Sequence, residues 1–89
     1  MAPVELTPSA YRHGFEFDQA LYVMSNALAT GDLGSVGGQA TVVFVGYPHD
    51  GSARRVELIA EIRQPRTVVV FHFSDLTDNY RHLWPTDEG

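Results

Sequence analysis

The stretch YRHGFEFDQA, residues 11–20, decides how the first part of this 89-residue chain folds. Gly14 can adopt the left-handed conformation that ends a helix. Glu16 and Asp18 then place negative charge where a new helix would begin. Phe15 can pack back onto the first turn of that new helix, as a hydrophobic staple does. The stretch therefore predicts two helices that meet at a tight turn.

Capping residues and apolar spacing give the extent of these two helices. Thr7 and Pro8 suit the cap and the first position of a short helix that stops before Gly14. A second helix is predicted over residues 17–28, because its apolar residues recur at intervals of three and four and form one stripe. The stripe consists of Phe17, Ala20, Leu21, Met24, Ala27 and Leu28. Residues 31–38 are rich in glycine and predict a flexible loop.

Three strands are predicted after this loop. Residues 41–47 are β-branched and aromatic, which is typical of a strand. Residues 55–63 alternate between apolar and charged side chains, interrupted by Ile59. Residues 67–73 are apolar on both faces, which indicates a strand inside the sheet. Turn sequences separate the three runs, so they predict an antiparallel meander.

These elements predict a single α+β domain over residues 1–89. Two N-terminal helices would pack on one face of a three-stranded antiparallel meander, and a short helix or docked turn would follow over 76–84. Residues 1–6 are interpreted as a tail or a short edge strand, and residues 85–89 as a polar tail. The second face of the sheet would be open to solvent, to a partner or to a substrate.

Composition narrows the class of protein. Hydrophobic residues make up 44% of the chain, which indicates a folded domain rather than a disordered segment. The absence of cysteine excludes disulfides and thiolate chemistry, and no apolar run approaches the ~20 residues of a membrane span. These features predict a cytoplasmic protein. The net charge of −5 disfavours a general nucleic-acid binder, and all six basic residues are arginine.

Four histidines are candidates for acid–base chemistry, because imidazole titrates near neutral pH. His13 can offset the dipole at the end of the first helix, or it can act in a site. His49 lies in a turn and is interpreted as inert. His72 alternates with Val68 and Val70, so it is either a core residue or an acid–base group on the open face. His82 could meet His72 if the last segment folds back.

A cationic surface is the second candidate feature. It would bring together Arg54, Arg55, Arg63, Arg66, Tyr80, Arg81 and His82. Cleavage of RNA without a metal needs a base for the 2′-hydroxyl proton, a cation for the phosphorane and an acid for the leaving oxygen. The alternative is a set of unrelated surface arginines. Glu57 and Glu61 share a strand face with Arg55 and Arg63, and are interpreted as ion-pair partners.

Motifs for bound groups are absent from the sequence. It contains no phosphate-binding loop, no zinc-protease helix and no serine-hydrolase elbow. The histidines do not have the spacing of zinc ligands. We therefore expect no cofactor and no metal.

The segment RHGFEFDQA, residues 12–20, is similar to a segment of the form KHGVSFEEA in BrnT-type toxins. These toxins are small ribonucleases of bacterial type II toxin–antitoxin systems, related in fold to RelE. The order of the predicted strands also resembles that family, and the resemblance spans about residues 8–84.

The resemblance implies a RelE-like sheet, an antitoxin protein as partner, and metal-independent cleavage of mRNA. Arg12 and His13 match the basic residue and histidine that precede the glycine in the family. Arg81, with Tyr80 beside it, corresponds to a basic residue near the last strand. The catalytic candidates are therefore His13, His72, Tyr80, Arg81 and His82, and the candidates for RNA contact are Arg12, Arg54, Arg55 and Arg66.

A second hypothesis is a protein-binding or dimerising module that uses the same fold without catalysis. Its binding surface would be the open sheet face or the glycine-rich loop. The acidic net charge favours this hypothesis, because ribonucleases gain affinity from contacts to phosphate.

Overall fold

A computed structural model of the chain describes residues 3–36, 39–63 and 67–85. Within these ranges there is one α-helix, α1 (Phe17–Ser25), and one sheet of five strands. The strands are β1 (Val4–Leu6), β2 (Ala29–Val36), β3 (Gln39–Gly46), β4 (Val56–Arg63) and β5 (Thr67–Asp75). Two short 3₁₀ turns cover Pro8–Tyr11 and Arg81–Leu83. The strand order is β1-β5-β4-β3-β2, with β1 parallel to β5 and every other pair antiparallel.

The α+β class is confirmed, but the predicted arrangement is wrong. The first of the two N-terminal helices is the four-residue 3₁₀ turn at Pro8–Tyr11, because the turn at Gly14 leaves no room for a second helical turn. The short C-terminal helix is likewise a three-residue 3₁₀ turn. The sheet has five strands and mixed directions in the described residues, whereas the sequence predicted three antiparallel strands.

Both additional strands lie at the edges of the sheet. The glycine-rich stretch predicted as a loop forms β2, which pairs with the strongly strand-forming β3; residues 37–38 lie outside the described residues. A bulge between Asp32 and Gly34 interrupts this pairing, and Gly34 has a φ of 105°. Of the tail and the edge strand that were the alternatives for residues 1–6, the edge strand forms, as β1 over Val4–Leu6; residues 1–2 lie outside the described residues. The backbone N–H of Val68 donates to the Pro3 carbonyl, and that of Thr7 donates to the Val70 carbonyl.

Helix α1 begins where the sequence predicted. Gly14 has a φ of 86°, which turns the chain out of the preceding 3₁₀ turn. The backbone N–H of Glu16 donates to Gln19 Oε1 at 2.8 Å, as in a capping box. The helix ends at Ser25, three residues earlier than predicted.

The buried face of α1 is narrower than the predicted apolar stripe. Ala20 and Val23 are fully buried, whereas Phe17, Leu21 and Leu28 are exposed. Small side chains at the centre of the contact bring the helix close to the sheet, so the larger residues on either side remain at the surface.

The main core lies between the sheet and the N-terminal segment. Phe15 and Phe73 stack at its centre, with ring centroids 4.3 Å apart and planes inclined by 10°. The predicted alternation of β4 is confirmed, since Val56, Leu58 and Ala60 all point into this core. The other buried members are Ala10, Ala20, Val23 and Val70.

The opposite face of the sheet is also covered, which corrects the prediction of an open face. The C-terminal segment, residues 76–85, folds back over β2, β3 and β4. Trp84 packs with Val43, Val45 and Ile59 to form a second buried cluster. Leu83 lies directly over Gly31, where an added Cβ would stand 3.0 Å from Leu83 Cδ1. Within the described ranges, the chain has no helix with the length and apolar character of a membrane span.

Phe73 lies at the centre of the main core, so the stability of the fold is sensitive to its replacement. Replacement of the fully buried Phe73 by alanine removes the ring stacked on Phe15. We expect the free energy of unfolding, measured by urea denaturation, to fall by about 3–5 kcal/mol. Phe71→Ala on the same strand is the matched control, because its ring is 39% exposed; its loss should be less than about 1 kcal/mol. Equal losses in the two variants would contradict this description of the core.

Candidate active site

The most unusual side chain in the described structure is the carboxyl of Glu57. It lies on β4, on the face covered by the C-terminal segment, and is 2% exposed. A carboxylate removed from water is strongly destabilising unless it is paired and hydrogen-bonded. Glu57 was interpreted from the sequence as an ion-pair partner on a charged strand face; in the structure its carboxyl is buried and lies beside His72.

Three hydrogen bonds compensate for the burial of Glu57. Its Oε1 accepts from the backbone N–H of Thr77 and from Thr77 Oγ1, both at 2.7 Å. Its Oε2 lies 2.9 Å from His72 Nε2. The carboxyl group therefore links β4 to β5 and to the start of the C-terminal segment.

A β-bulge places His72 beside Glu57. The register between β4 and β5 shifts by one residue at Phe71, so that His72 lies opposite Ile59. Without the shift, His72 would share the core face of Val70, which is what simple alternation predicted. Instead it lies on the second face, with its side chain 34% exposed. His72 is thus neither a core residue nor fully on the surface: one ring nitrogen contacts a buried acid, and part of the side chain is exposed.

Ser74 is a further neighbour of His72, but the three residues do not form a nucleophilic triad. Ser74 Oγ lies 3.0 Å from His72 Nε2, the same nitrogen that contacts Glu57. A triad needs the acid on one ring nitrogen and the hydroxyl on the other. Ser74 Oγ also donates to the Asp75 carbonyl at 2.9 Å, so its proton is directed away from the ring. Ser74 is therefore not an activated nucleophile.

His13 lies next to His72, at the edge of β5 beyond the end of β1. The two rings meet edge to face, with centroids 6.4 Å apart and planes inclined by 71°. The segment that carries His13 is held along β5 by Ser9, whose Oγ donates to the Phe71 carbonyl at 2.8 Å. Gly14 then turns the chain away toward α1. The histidine and glycine of the His13–Gly14 pair thus have separate roles, since one reaches the site and the other turns the backbone.

An ion pair lies near His13. Arg54 Nε and Nη2 donate to the carboxylate of Asp75 at 2.5 and 3.1 Å, and the guanidinium lies over the ring of Phe15, 4.5 Å from its centroid. The hydrogen bond from Arg54 lowers the pKa of Asp75 below its ordinary value, although partial desolvation opposes the shift. The charges of Arg54 and His13 lower it further. The same hydrogen bond raises the pKa of Arg54.

The remaining predicted site residues lie apart from the histidine pair. Tyr80 packs against the second buried cluster, and Arg81 is exposed and pairs with Asp78 at 2.7 Å. His82 is exposed on the 3₁₀ turn beside β2, so the last segment folds back without bringing it to His72. Arg12 is exposed beside His13.

The predicted cationic surface does not form from the described residues. Arg54 stacks on Phe15 in one core, and Arg55 lies 4.7 Å from the centroid of Trp84 in the other, so they are on opposite faces. Arg63 pairs with Glu61 at 2.6 Å, which confirms the predicted ion pair on that strand. Arg66 lies outside the described residues.

The sequence predicted the two histidines but missed the residues that support them. Glu57, Ser74 and Thr77 belong to no motif, and their proximity depends on the bulge at Phe71 and on the fold-back of the C-terminal segment. One signal was present: a charged residue at position 57, between apolar residues on a strand that the sheet buries on both sides. Among residues 3–36, 39–63 and 67–85, no three histidine, aspartate or glutamate side chains are grouped as metal ligands.

The Arg54–Asp75 pair predicts a defined dependence of stability on pH. Because the folded pKa of Asp75 is depressed, its stabilising contribution is present above the unfolded pKa and is lost as pH falls through the folded pKa. We expect Asp75→Asn to lower the thermal midpoint slightly at about pH 6, and the difference from wild type to shrink as the pH falls below the pKa of an unfolded aspartate. Asp78→Asn, in the other exposed pair, is the control. A difference that grows on acidification would contradict the argument.

Comparison of the chain with protein-family models, with curated proteins and with solved structures gives no match. The geometry of the site therefore has to indicate which chemistry the chain can perform.

Proposed function

We propose that this protein is a metal-independent endoribonuclease, the toxin component of a type II toxin–antitoxin system. The observation that supports the proposal most is the pair of adjacent histidines, one of which is backed by a buried carboxylate. Two imidazoles side by side can act as base and acid in one reaction. The resemblance of residues 12–20 to the BrnT-type segment is a second support, and it includes His13 itself.

The proposed reaction is attack by the RNA 2′-hydroxyl on the adjacent phosphorus. His72 would take the 2′-hydroxyl proton, the new bond from 2′-oxygen to phosphorus would form, and the bond from phosphorus to the 5′-oxygen would break. A protonated His13 would give its proton to the departing 5′-oxygen. Ring centroids 6.4 Å apart allow both imidazoles to reach oxygens of a single phosphodiester within hydrogen-bond distance.

The few unpaired positive charges near the histidines, among the described residues, predict a low affinity for RNA. Arg12 is exposed beside His13, whereas Arg54 is paired with Asp75. With a net charge of −5, the chain gains little from phosphate contacts, so we expect weak binding of free RNA and a shallow dependence on salt. The toxin would act in the cytoplasm, where its RNA substrate and its antitoxin are found.

A second candidate function is a non-catalytic protein-binding module, and one surface favours it. Phe17 and Leu21 project from α1 four residues apart, 38% and 37% exposed, and Leu28 beyond the helix is 46% exposed. Exposed apolar side chains such as Phe17 and Leu21, which share one face of a helix, are typical of a surface that contacts another protein. It could receive a second copy of the chain, or an antitoxin if the ribonuclease proposal is correct.

Cleavage of a mixed-sequence single-stranded RNA in the presence of EDTA tests the ribonuclease proposal. We expect products with 2′,3′-cyclic phosphate ends, and no cleavage of the 2′-deoxy oligonucleotide. His72→Ala and His13→Ala should each lower the rate by about 10²–10⁴-fold, the usual contribution of a general acid or base. His82→Ala, on the segment beside β2, should cleave as wild type does.

Growth after induced expression in a bacterial host tests the toxin part of the proposal with the same variants. Growth arrest that His72→Ala relieves and His82→Ala does not would support it. Intact RNA in both assays, from folded protein, would reject the ribonuclease and leave the binding module.

Ser74→Ala separates acid–base cleavage of RNA from a serine-nucleophile mechanism. Because the Ser74 proton is donated to the Asp75 carbonyl, loss of the hydroxyl should lower the rate of RNA cleavage by less than about tenfold. A loss as large as that of His72→Ala would show that Ser74 takes part directly in the chemistry. Circular dichroism of both variants would confirm that they are folded.

A further inference from the structure

The hydrogen bonds around His72 determine which ring nitrogen carries the proton. Glu57 Oε1 accepts two bonds from Thr77, one of them from the backbone N–H, which can only donate. An ionised Glu57 can only accept through Oε2 as well, so the facing His72 Nε2 must be a donor.

Ser74 fits the same assignment. Its hydroxyl can donate to the Asp75 carbonyl, which leaves a lone pair of Ser74 Oγ for His72 Nε2. A lone pair at 3.0 Å from a ring nitrogen is favourable when that nitrogen carries a hydrogen. In the neutral ring, Nδ1 is then the unprotonated nitrogen.

We infer that Glu57, held in place by Thr77, is a positioning residue that keeps the proton of neutral His72 on Nε2 and leaves Nδ1 as the base. The catalytic part of this inference rests on the proposed ribonuclease function. The tautomer itself does not, because it follows from the three bonds to Glu57 and the hydroxyl of Ser74. Within the described part of the chain, no hydrogen bond engages His72 Nδ1.

Two titratable side chains face His72: Glu57 from β4, and His13 from the segment before α1. Asp75 lies three residues along β5, is paired with Arg54, and is opposite Val56 on the other face of the sheet. Of these, Glu57 is the one within hydrogen-bond distance of the ring, so the tautomer depends on it most directly.

Glu57→Gln is the variant that tests the inference, because it keeps the shape of the side chain and reverses one hydrogen bond. The two donors of Thr77 require the amide oxygen at the Oε1 position. The amide NH₂ group then occupies the Oε2 position and donates to His72 Nε2. The neutral ring must move its proton to Nδ1, and the base is lost without removal of the histidine.

Long-range ¹H–¹⁵N NMR spectra at about pH 8, where an ordinary imidazole is neutral, distinguish the two tautomers. We expect His72 to carry its proton on Nε2 in the wild type and on Nδ1 in Glu57→Gln. RNA cleavage by Glu57→Gln should fall by about 10³–10⁴-fold, as expected when an imidazole is held in the wrong tautomer. Glu61→Gln is the matched control, since Glu61 lies on the same strand and face and pairs with Arg63.

The NMR and cleavage results test the tautomer of His72 and the ribonuclease function separately. A wild-type His72 protonated on Nδ1 overturns the inference, and this measurement does not depend on any variant that could fail to fold. An unchanged tautomer in folded Glu57→Gln also overturns it, as does undiminished cleavage by that variant. If the wild type shows the expected tautomer and does not cleave RNA, the proposed function fails while the assignment of Glu57 to the tautomer of His72 stands.

Discussion

Burial of the Glu57 carboxyl is the constraint on which the rest of this small structure depends. A charge removed from water needs partners, and here they come from two places in the chain: Thr77 after the last strand, and His72 on that strand. Removal of either leaves the buried acid only partly compensated. The carboxyl group that fastens the C-terminal segment to the sheet through Oε1 is therefore the same one that orients His72 through Oε2.

Each face of the sheet packs against a different part of the chain, and the candidate site lies where the second face is left uncovered. The N-terminal segment and α1 supply an apolar core around Phe15 and Phe73. The C-terminal segment supplies a second cluster around Trp84, and its coverage stops short of β5. The histidine pair lies at this uncovered edge, where one side of each ring can be supported by protein and the other remains accessible.

Local patterns in the sequence predicted α1, β3, β4 and β5, because periodic spacing or strand-forming composition marks each element and turn residues separate them. They failed where pairing partners override local preference. A glycine-rich stretch became β2 because β3 offers it a partner, and three residues at the start became β1 because β5 has an unpaired edge there. The position of His72 was missed for a related reason: one bulged residue at Phe71 exchanges the two faces of the strand, and periodicity cannot detect it.

The parallel pairing of β1 with β5 has a consequence for the order in which the chain folds. Val4 is opposite Val68, so the two residues of this contact are separated by most of the sequence. Contacts between such distant residues slow folding, since a long loop must close before the contact can form. During synthesis on the ribosome, β1 has no strand to pair with until β5 has emerged. The hairpins β2–β3 and β3–β4 can form earlier, and the edge that carries His13 and His72 is then the last part of the sheet to be completed.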